Sequence, residues 1–371
     1  MTYEEALAWL YARRRTGERG THRVRALLAR LGHPEAGFLA VHVLGTNGKG
    51  SVVAYLEAAF RAAGLAYGAY TSPHLVDFRE RIRTHLGPVP REAVVRFVAW
   101  AREEAWEEPP GFFDLATALA FLHFRERGVA LAAVEAGVGG EKDATNALSR
   151  VALTVLTNVG EDHLEALGGT LEAVAREKAG AFRPGVPVVT GARGVGLEVA
   201  RKVAEERGAP LYVLDPEDPL FALPAPPGLR GAYQEENARL AAAALRLLGL
   251  PEAAIARGLR EARHLVRMRR SPRTGPRVSL FAYHTPSAAE ALTLIEGVIA
   301  WIGSDPNQPK DAKGRPGGLV NLPSGLNPRW PPQAASAAGS RPARLSSPNS
   351  ATASRRSSRS RNSSSPSSAD T

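Results

Sequence analysis

The 371-residue chain carries 47 Lys and Arg against 37 Asp and Glu, a formal net charge of +10, and no cysteine. Ten of the basic and three of the acidic residues fall in 304–371, which leaves 37 and 34 in the first 303 residues. That near-neutral body removes the main support for a nucleic-acid partner, and the absence of cysteine excludes disulfides and thiolate metal sites, leaving oxygen and imidazole ligands.

The N-terminal MTYEEALAWLYARRR places acids before its apolar positions and lacks a basic leader with a small-residue cleavage site, so it does not read as a signal peptide. No apolar run approaches the roughly 20 residues that span a bilayer, so a cytoplasmic protein with no membrane partner is expected. FLAVHVL (38–44) is an apolar run ending in a Gly-rich turn, followed by VVAYLEAAFRAAG, whose apolar spacing is helical and stops at Gly64. AYGAYT, LAAVEAG, ALTVLTNV, VPVVTG and LYVLD read as further buried strands. REAVVRFVAWAREEAW, TLEAVAREKAGAF and EVARKVAEERG read as helices between some of them. This alternation predicts an α/β fold with a doubly wound, mostly parallel sheet and ligands at the carboxyl ends of its strands. DPEDPLFALPAPPG then reads as a connection and ENARLAAAALRLLG as an inter-domain helix.

Three regions are therefore expected: a doubly wound α/β domain over 1–250, the start of a smaller, truncated α/β domain over 251–303, and a tail over 304–371. RVSLFAY and SAAEALTLIEGVIAWI supply a strand and a helix to the second region. The tail ends in SSPNSATASRRSSRSRNSSSPSSADT, a composition too poor in apolar residues to offset chain entropy, and it reads as disordered or as a frameshifted continuation.

The sharpest motif is Gly45-Thr46-Asn47-Gly48-Lys49-Gly50-Ser51, lying between a strand and a helix where backbone N–H groups and the helix N-terminus can cradle phosphates. Lys49 is positioned to reach the terminal phosphates and Ser51 to approach Mg2+. Glu135 closes the strand LAAVE, where a carboxylate facing a phosphate loop suits a hard cation; the plainer reading is a solvated strand-end glutamate. His163, in the turn GEDH, reads by itself as a structural hydrogen-bonder, and Lys178 as half of a surface pair one helical turn apart.

GTNGKGS, followed by Ser72-Pro73-His74-Leu75 and Phe78-Arg79-Glu80-Arg81-Ile82, resembles the folylpolyglutamate synthase and dihydrofolate synthase family, relatives of the Mur ligases. The resemblance continues through FFDLATALAF, EAGVGG with DATN, NVGEDHLEALGGTLEAVAREKAGAFRPGVPVV and QEENARLAAAALRLL, and so spans most of residues 1–250. It implies a Mur-ligase-like P-loop domain and a monomeric ligase. The implied partners are small molecules: ATP, L-glutamate and dihydropteroate or a reduced folate. It also implies Mg2+ and leaves room for K+ or another monovalent cation. The reaction implied is ATP-dependent ligation of L-glutamate to dihydropteroate or to tetrahydrofolate polyglutamates through an acyl phosphate.

Carried over residue by residue, the resemblance implies that Thr46, Asn47, Gly48, Lys49, Gly50, Ser51, Asn237 and Arg267 bind ATP, with Gln234 near Asn237 and Tyr233 replacing the usual His. Lys49, Glu135, His163 and Lys178 would be catalytic. Ser72, Glu135, His163 and Lys178, the last as a carbamate, would hold metal, with Ser51 a further candidate. Gly111, Phe112, Phe113 and Asp114, with Lys142, Asp143 and Ala144, would form the pterin and aminobenzoate pocket, although plain core packing also accounts for the aromatics. Two positions depart from the family there, Asp114 for Glu and Glu141-Lys142 for Arg-Leu. His284 would serve the glutamate side, whereas Phe281 and Thr285 stand where the family carries Asp and Asn. The rival readings are a nucleotide-binding member without ligase activity and a Mur-like amino-acid ligase with another acceptor.

Overall fold

The computed structural model describes residues 1–14, 17–161 and 164–263, together with the backbone of a short antiparallel pair, Met268–Arg269 with Ser279–Leu280. His163, Arg267, Phe281, His284, Thr285, the expected helix at 287–302 and the tail at 304–371 lie outside the described residues.

One eight-stranded sheet organises the chain. Its strands are β1 (Leu39–Leu44), β2 (Tyr67–Tyr70), β3 (Ile82–Thr84), β4 (Gly87–Pro88), β5 (Leu131–Glu135), β6 (Val151–Leu156), β7 (Val188–Thr190) and β8 (Leu211–Val213). They lie in the order β4-β3-β2-β5-β1-β6-β7-β8. The six strands from β2 to β8 in that order pair in parallel, and β3 and β4 add an antiparallel edge. Every strand expected from the sequence through LYVLD is present, with trimmed ends.

Helices cover both faces, because the parallel strands alternate two apolar faces and neither can be left in water. Val41 and Val43 of β1, Leu131 and Ala133 of β5, and Leu153 and Val155 of β6 point into one core. That core is closed by α3 (Lys49–Ala62), α8 (Gln234–Leu247) and α9 (Glu252–Glu261). Ala40, Ala132 and Val134 point to the opposite core, under α1 (Tyr3–Tyr11), α2 (His22–Arg30), α4 (Arg91–Glu103) and α5 (Phe112–Glu126). A third cluster joins α6 (Leu171–Ala179) and α7 (Gly194–Arg207) to the β7 side through Phe182, Val188 and Val203.

The expected boundary near Pro251 falls at the N-cap of α9. α9 nonetheless belongs to the first core: Ile255 and Leu259 are fully buried there, and Gly258 lies against Ala59 of α3 so closely that a Cβ would stand 2.5 Å from its Cα. Because α3 returns the chain to β2 on one side of β1, and β6 follows on the other, the crevice above β1 is the point where the winding reverses, the preferred ligand position in such sheets.

Candidate active site

The turn leaving β1 is fixed by two glycines. Gly45 adopts φ +134°, and a Cβ there would come within 1.9 Å of Thr157 Oγ1. Gly48, at φ +81° on the N-cap of α3, gives its bare Cα to Asn237 of α8, whose Oδ1 would lie 2.3 Å from a Cβ. Both backbone shapes are left-handed or beyond, and both approaches need the missing side chain.

The segment after β6 holds the other side of this turn. Thr46 N donates to the Asn158 carbonyl at 3.0 Å and Asn47 N to Asn158 Oδ1 at 2.9 Å. Thr157 Oγ1 donates to the Asn47 carbonyl at 2.6 Å, and Gly160 N donates to Thr46 Oγ1 at 3.0 Å. Lys49 is buried with Nζ 2.9 Å from the Gly45 carbonyl and 3.2 Å from that of Thr46. Ser51 Oγ accepts from Gln234 Nε2 at 3.1 Å, and Gln234 Oε1 accepts from Asn237 Nδ2 at 3.4 Å. Thr46, Asn47, Gly48, Lys49, Gly50, Ser51 and Asn237 therefore share one place, whereas Tyr233 is 77% exposed beside it.

Two readings left open by the sequence are decided by burial. Glu135 is fully buried, not solvated, and its Oε2 accepts from Ser72 N at 3.1 Å. Lys178 is 4% exposed and not part of a surface pair; its Nζ donates to the Gly45 carbonyl at 3.1 Å, the same oxygen that Lys49 contacts. Glu135 sits opposite Val43, two residues before the phosphate-loop glycine. Among the described residues no three His, Asp or Glu side chains gather as a metal cluster. The donors present, the Glu135 carboxylate beside Ser72 and the Ser51 hydroxyl on the loop, are hard oxygens of the kind Mg2+ accepts when phosphates and water complete its shell.

A second group lies on the α5 side. Phe113 packs on Gly137, where a Cβ would come within 2.5 Å of the ring, and stands 6.0 Å from Tyr70. Phe112, itself partly buried, has its ring centroid 5.5 Å from that of the exposed Tyr11 and 6.1 Å from that of the buried Phe78. Asp114 Oδ2 accepts from Gly111 N at 2.9 Å, so this carboxylate caps the start of α5. Asp143 closes the loop after β5: Oδ2 accepts from Val138 N at 2.8 Å, and Oδ1 accepts from Thr145 N at 3.0 Å and Thr145 Oγ1 at 2.6 Å. Ala144 is buried next to it, while Lys142 is exposed and its backbone N–H donates to Glu177 Oε1 at 3.0 Å.

Sequence reasoning missed several residues that shape this site. Thr157 and Asn158 hold the phosphate loop. His42, fully buried in β1, puts Nε2 2.8 Å from Thr145 Oγ1. The Thr145 hydroxyl spends its proton on Asp143, so His42 must donate from Nε2, and its buried Nδ1 has no hydrogen-bond partner among the described residues. Burial, with Arg183 nearby, pushes its pKa down to about 3. Arg81 and His74, in the FRERI and SPHL motifs, meet directly: Arg81 Nε donates to His74 Nδ1 at 2.7 Å. Burial and then Arg81 hold the His74 pKa below its ordinary value.

Fold and site together define a doubly wound α/β domain with a phosphate-binding loop at its switch point, and the model for the Mur ligase middle domain matches residues 43–185. The dihydrofolate synthase/folylpolyglutamate synthase of Bacillus subtilis is 39% identical over 235 residues, covering 60% of this chain and 54% of that protein. The solved folylpolyglutamate synthase of Thermotoga maritima superimposes with a TM-score of 0.63 at 32% identity, over 78% of this chain and 73% of that one. E. coli FolC in complex with DHPP and ADP gives a TM-score of 0.63 at 30% identity, over 82% and 76%. The chain belongs to the folylpolyglutamate synthase/dihydrofolate synthase family of the Mur ligase superfamily. It spans about half the length of the Bacillus subtilis relative. Among the described residues no helix is long and apolar enough to cross a membrane.

Proposed function

We propose that this chain binds ATP at the loop after β1 and a pterin-linked carboxylic acid against Phe112, Phe113 and the 137–145 loop, for ligation of that acid to L-glutamate. Dihydropteroate and tetrahydrofolate polyglutamates are the acceptors that the family membership favours. The carrying observation is the meeting of the Lys49 and Lys178 ammonium groups on the Gly45 carbonyl, with Ser51 on the loop and the buried Glu135–Ser72 pair on the neighbouring strand end. The relative solved with DHPP and ADP supports the same pair of ligand classes.

In this reading an acceptor carboxylate oxygen attacks the γ-phosphorus of ATP, and the bond to the ADP oxygen breaks. The amine of glutamate then attacks the acyl carbon, phosphate leaves, and the amide forms with loss of a proton. Lys49 and the N–H groups at the start of α3 offset negative charge on the transferring phosphoryl group. Asn237 and Gln234 hold the loop side of the nucleotide. Mg2+, held by Glu135, Ser72 and Ser51 with His163 and carbamylated Lys178 as the family pattern implies, would neutralise phosphate charge and fix its geometry. Carbamylation of Lys178 replaces a cation by an anionic oxygen donor in a buried, partly desolvated position.

The test is ADP release by the purified chain with ATP, Mg2+, L-glutamate and either dihydropteroate or tetrahydrofolate, beside Lys49→Ala. Release that needs both co-substrates and is lost in the variant is the expected result. ATP binding without co-substrate-dependent release would instead establish a nucleotide-binding member without ligase activity, with Phe281 the first suspect.

A further inference from the structure

Two motifs that carry the family resemblance, SPHL and FRERI, have so far contributed only Ser72 to the chemistry. Their side chains meet in one cluster. Arg79 pairs with Asp77 and Arg83 with Glu57, each guanidinium within 2.7 Å of a carboxylate oxygen. Arg81, between them in sequence and only 6% exposed, makes no ion pair among the described residues. Its Nε is spent on His74, and its Cζ stands 5.1 Å from the centroid of the Phe112 ring. The terminal nitrogens make no hydrogen bond within the described residues, yet unlike Arg23 Nε they are not sealed from solvent.

Burying a guanidinium without a carboxylate is costly unless something else answers its charge. The position says where that partner would come from. Its guanidinium lies at the Phe112 ring, and its backbone carbonyl accepts from Thr71 N at 2.9 Å, one residue before the Ser72 whose N–H bonds Glu135, so Arg81 stands next to both the aromatic group and the Glu135–Ser72 pair. His74 fixes its direction. Arginine Nε can only donate, so His74 Nδ1 accepts and Nε2 carries the proton toward Tyr11 Oη, 3.3 Å away. Tyr11, stacked on His74 at 6.0 Å and 47% exposed, thereby keeps its own hydroxyl proton for a ligand.

We propose that Arg81 is the anchor for the acceptor's carboxylate, receiving it on the terminal N–H groups while the acceptor's aromatic ring lies against Phe112 and Tyr11. His74 is a positioning residue that holds the guanidinium. Such an anchor also answers a physical need: a carboxylate must approach a triphosphate of the same sign, and a guanidinium beside it offsets that repulsion while fixing the attacking oxygen. This inference rests on the function proposed above.

The test is equilibrium binding of dihydropteroate and of its descarboxy analogue to the wild-type chain, Arg81→Met and Arg81→Lys, with affinity for a non-hydrolysable ATP analogue measured alongside. Wild type should prefer the acid by about tenfold or more, the scale of a paired charge-assisted contact. Arg81→Met should bind acid and analogue alike with nucleotide affinity unchanged. Arg81→Lys, which keeps the charge but not the paired N–H groups, should keep part of the preference, and it carries the comparison if Arg81→Met fails to fold. In turnover, the acceptor KM should rise while the ATP KM stays. Equal weakening of acid and analogue, or loss of nucleotide affinity instead, would overturn the anchor and leave the ligase reading in place. A wild-type chain that binds neither compound would overturn both.

Discussion

Replacing His42 by glutamine isolates the energetic consequence of burying an imidazole in the central strand. Glutamine places an amide N–H near the position of Nε2, so the bond to Thr145 Oγ1, 2.8 Å long in the native chain, has a donor to replace it, while the titrating group is gone. The native imidazole is fully buried and its pKa lies at about 3, against an ordinary value of 6.5. For a base whose folded pKa is depressed, the unfolded chain takes up the proton first, so stability is present above pH 6.5 and is lost as pH falls toward 3. Between pH 7 and pH 5 this one residue should cost wild type about 2 kcal/mol of unfolding free energy. Every other titrating group contributes equally to both proteins. Urea unfolding at the two pH values should therefore show a drop about 2 kcal/mol larger in wild type than in His42→Gln. A constant penalty for the glutamine at both pH values is compatible with this reasoning, because only the difference carries the prediction. Equal drops in the two proteins would refute it, and would mean that His42 is protonated in the fold or hydrated in a way the packing does not allow.

Thr145→Val cuts the chain from His42 to Asp143 and should destabilise the fold by about 1 to 3 kcal/mol, with Thr145→Ser restoring most of it in the same urea titration. Gly48→Ala should cost about 1 to 2 kcal/mol for the left-handed backbone alone, plus the displacement of Asn237. Combined with Asn237→Ala its cost should fall short of additivity by about 1 kcal/mol, and strict additivity in unfolding measurements would deny the contact. Lys178→Ala should lower ADP release by about 10- to 100-fold, and peptide mass spectrometry of the native chain should find one carbon dioxide added at Lys178. Full activity in Lys178→Ala would remove that residue from the site. Removal of divalent metal with a chelator should abolish ADP release reversibly while leaving the urea midpoint of the ligand-free chain unchanged.

Local features carried most of the fold. The strand, glycine turn and helix around Gly45–Ser51 form from adjacent residues, and the buried parallel strands are apolar runs that need no partner to be recognised. What escaped was of two kinds. α5 is buried over nearly all of Phe112–Glu126, so its sequence has no polar stripe to mark a helical period. α1 is only nine residues long, and the local signal that marks its start is the Thr2…Glu5 capping box, with both reciprocal bonds made. β3 and the edge strand β4 are three and two residues, too short for any alternation.

The candidate site divides the same way, because a phosphate loop is one contiguous segment and its surroundings are not. Thr157 is 110 residues from Asn47, Thr145 is 103 from His42, and His74 is 63 from Tyr11. Thr145 and His74 lie in recognisable motifs, but nothing in the local sequence says which distant residue each one meets, and only the fold brings the partners together. Lys178 makes the point most sharply. Its local sequence fits a solvated helix face, yet packing of α6 against the sheet drives its ammonium onto the carbonyl that Lys49 already contacts. Two ammonium groups sharing one oxygen lie within about 6 Å of each other and repel in a medium less polarisable than water. In the function proposed above, the phosphates of a nucleotide or a carbamate on Lys178 would bring negative charge to that spot. The motif marks the loop in the sequence, and only the tertiary packing brings Lys178 to it.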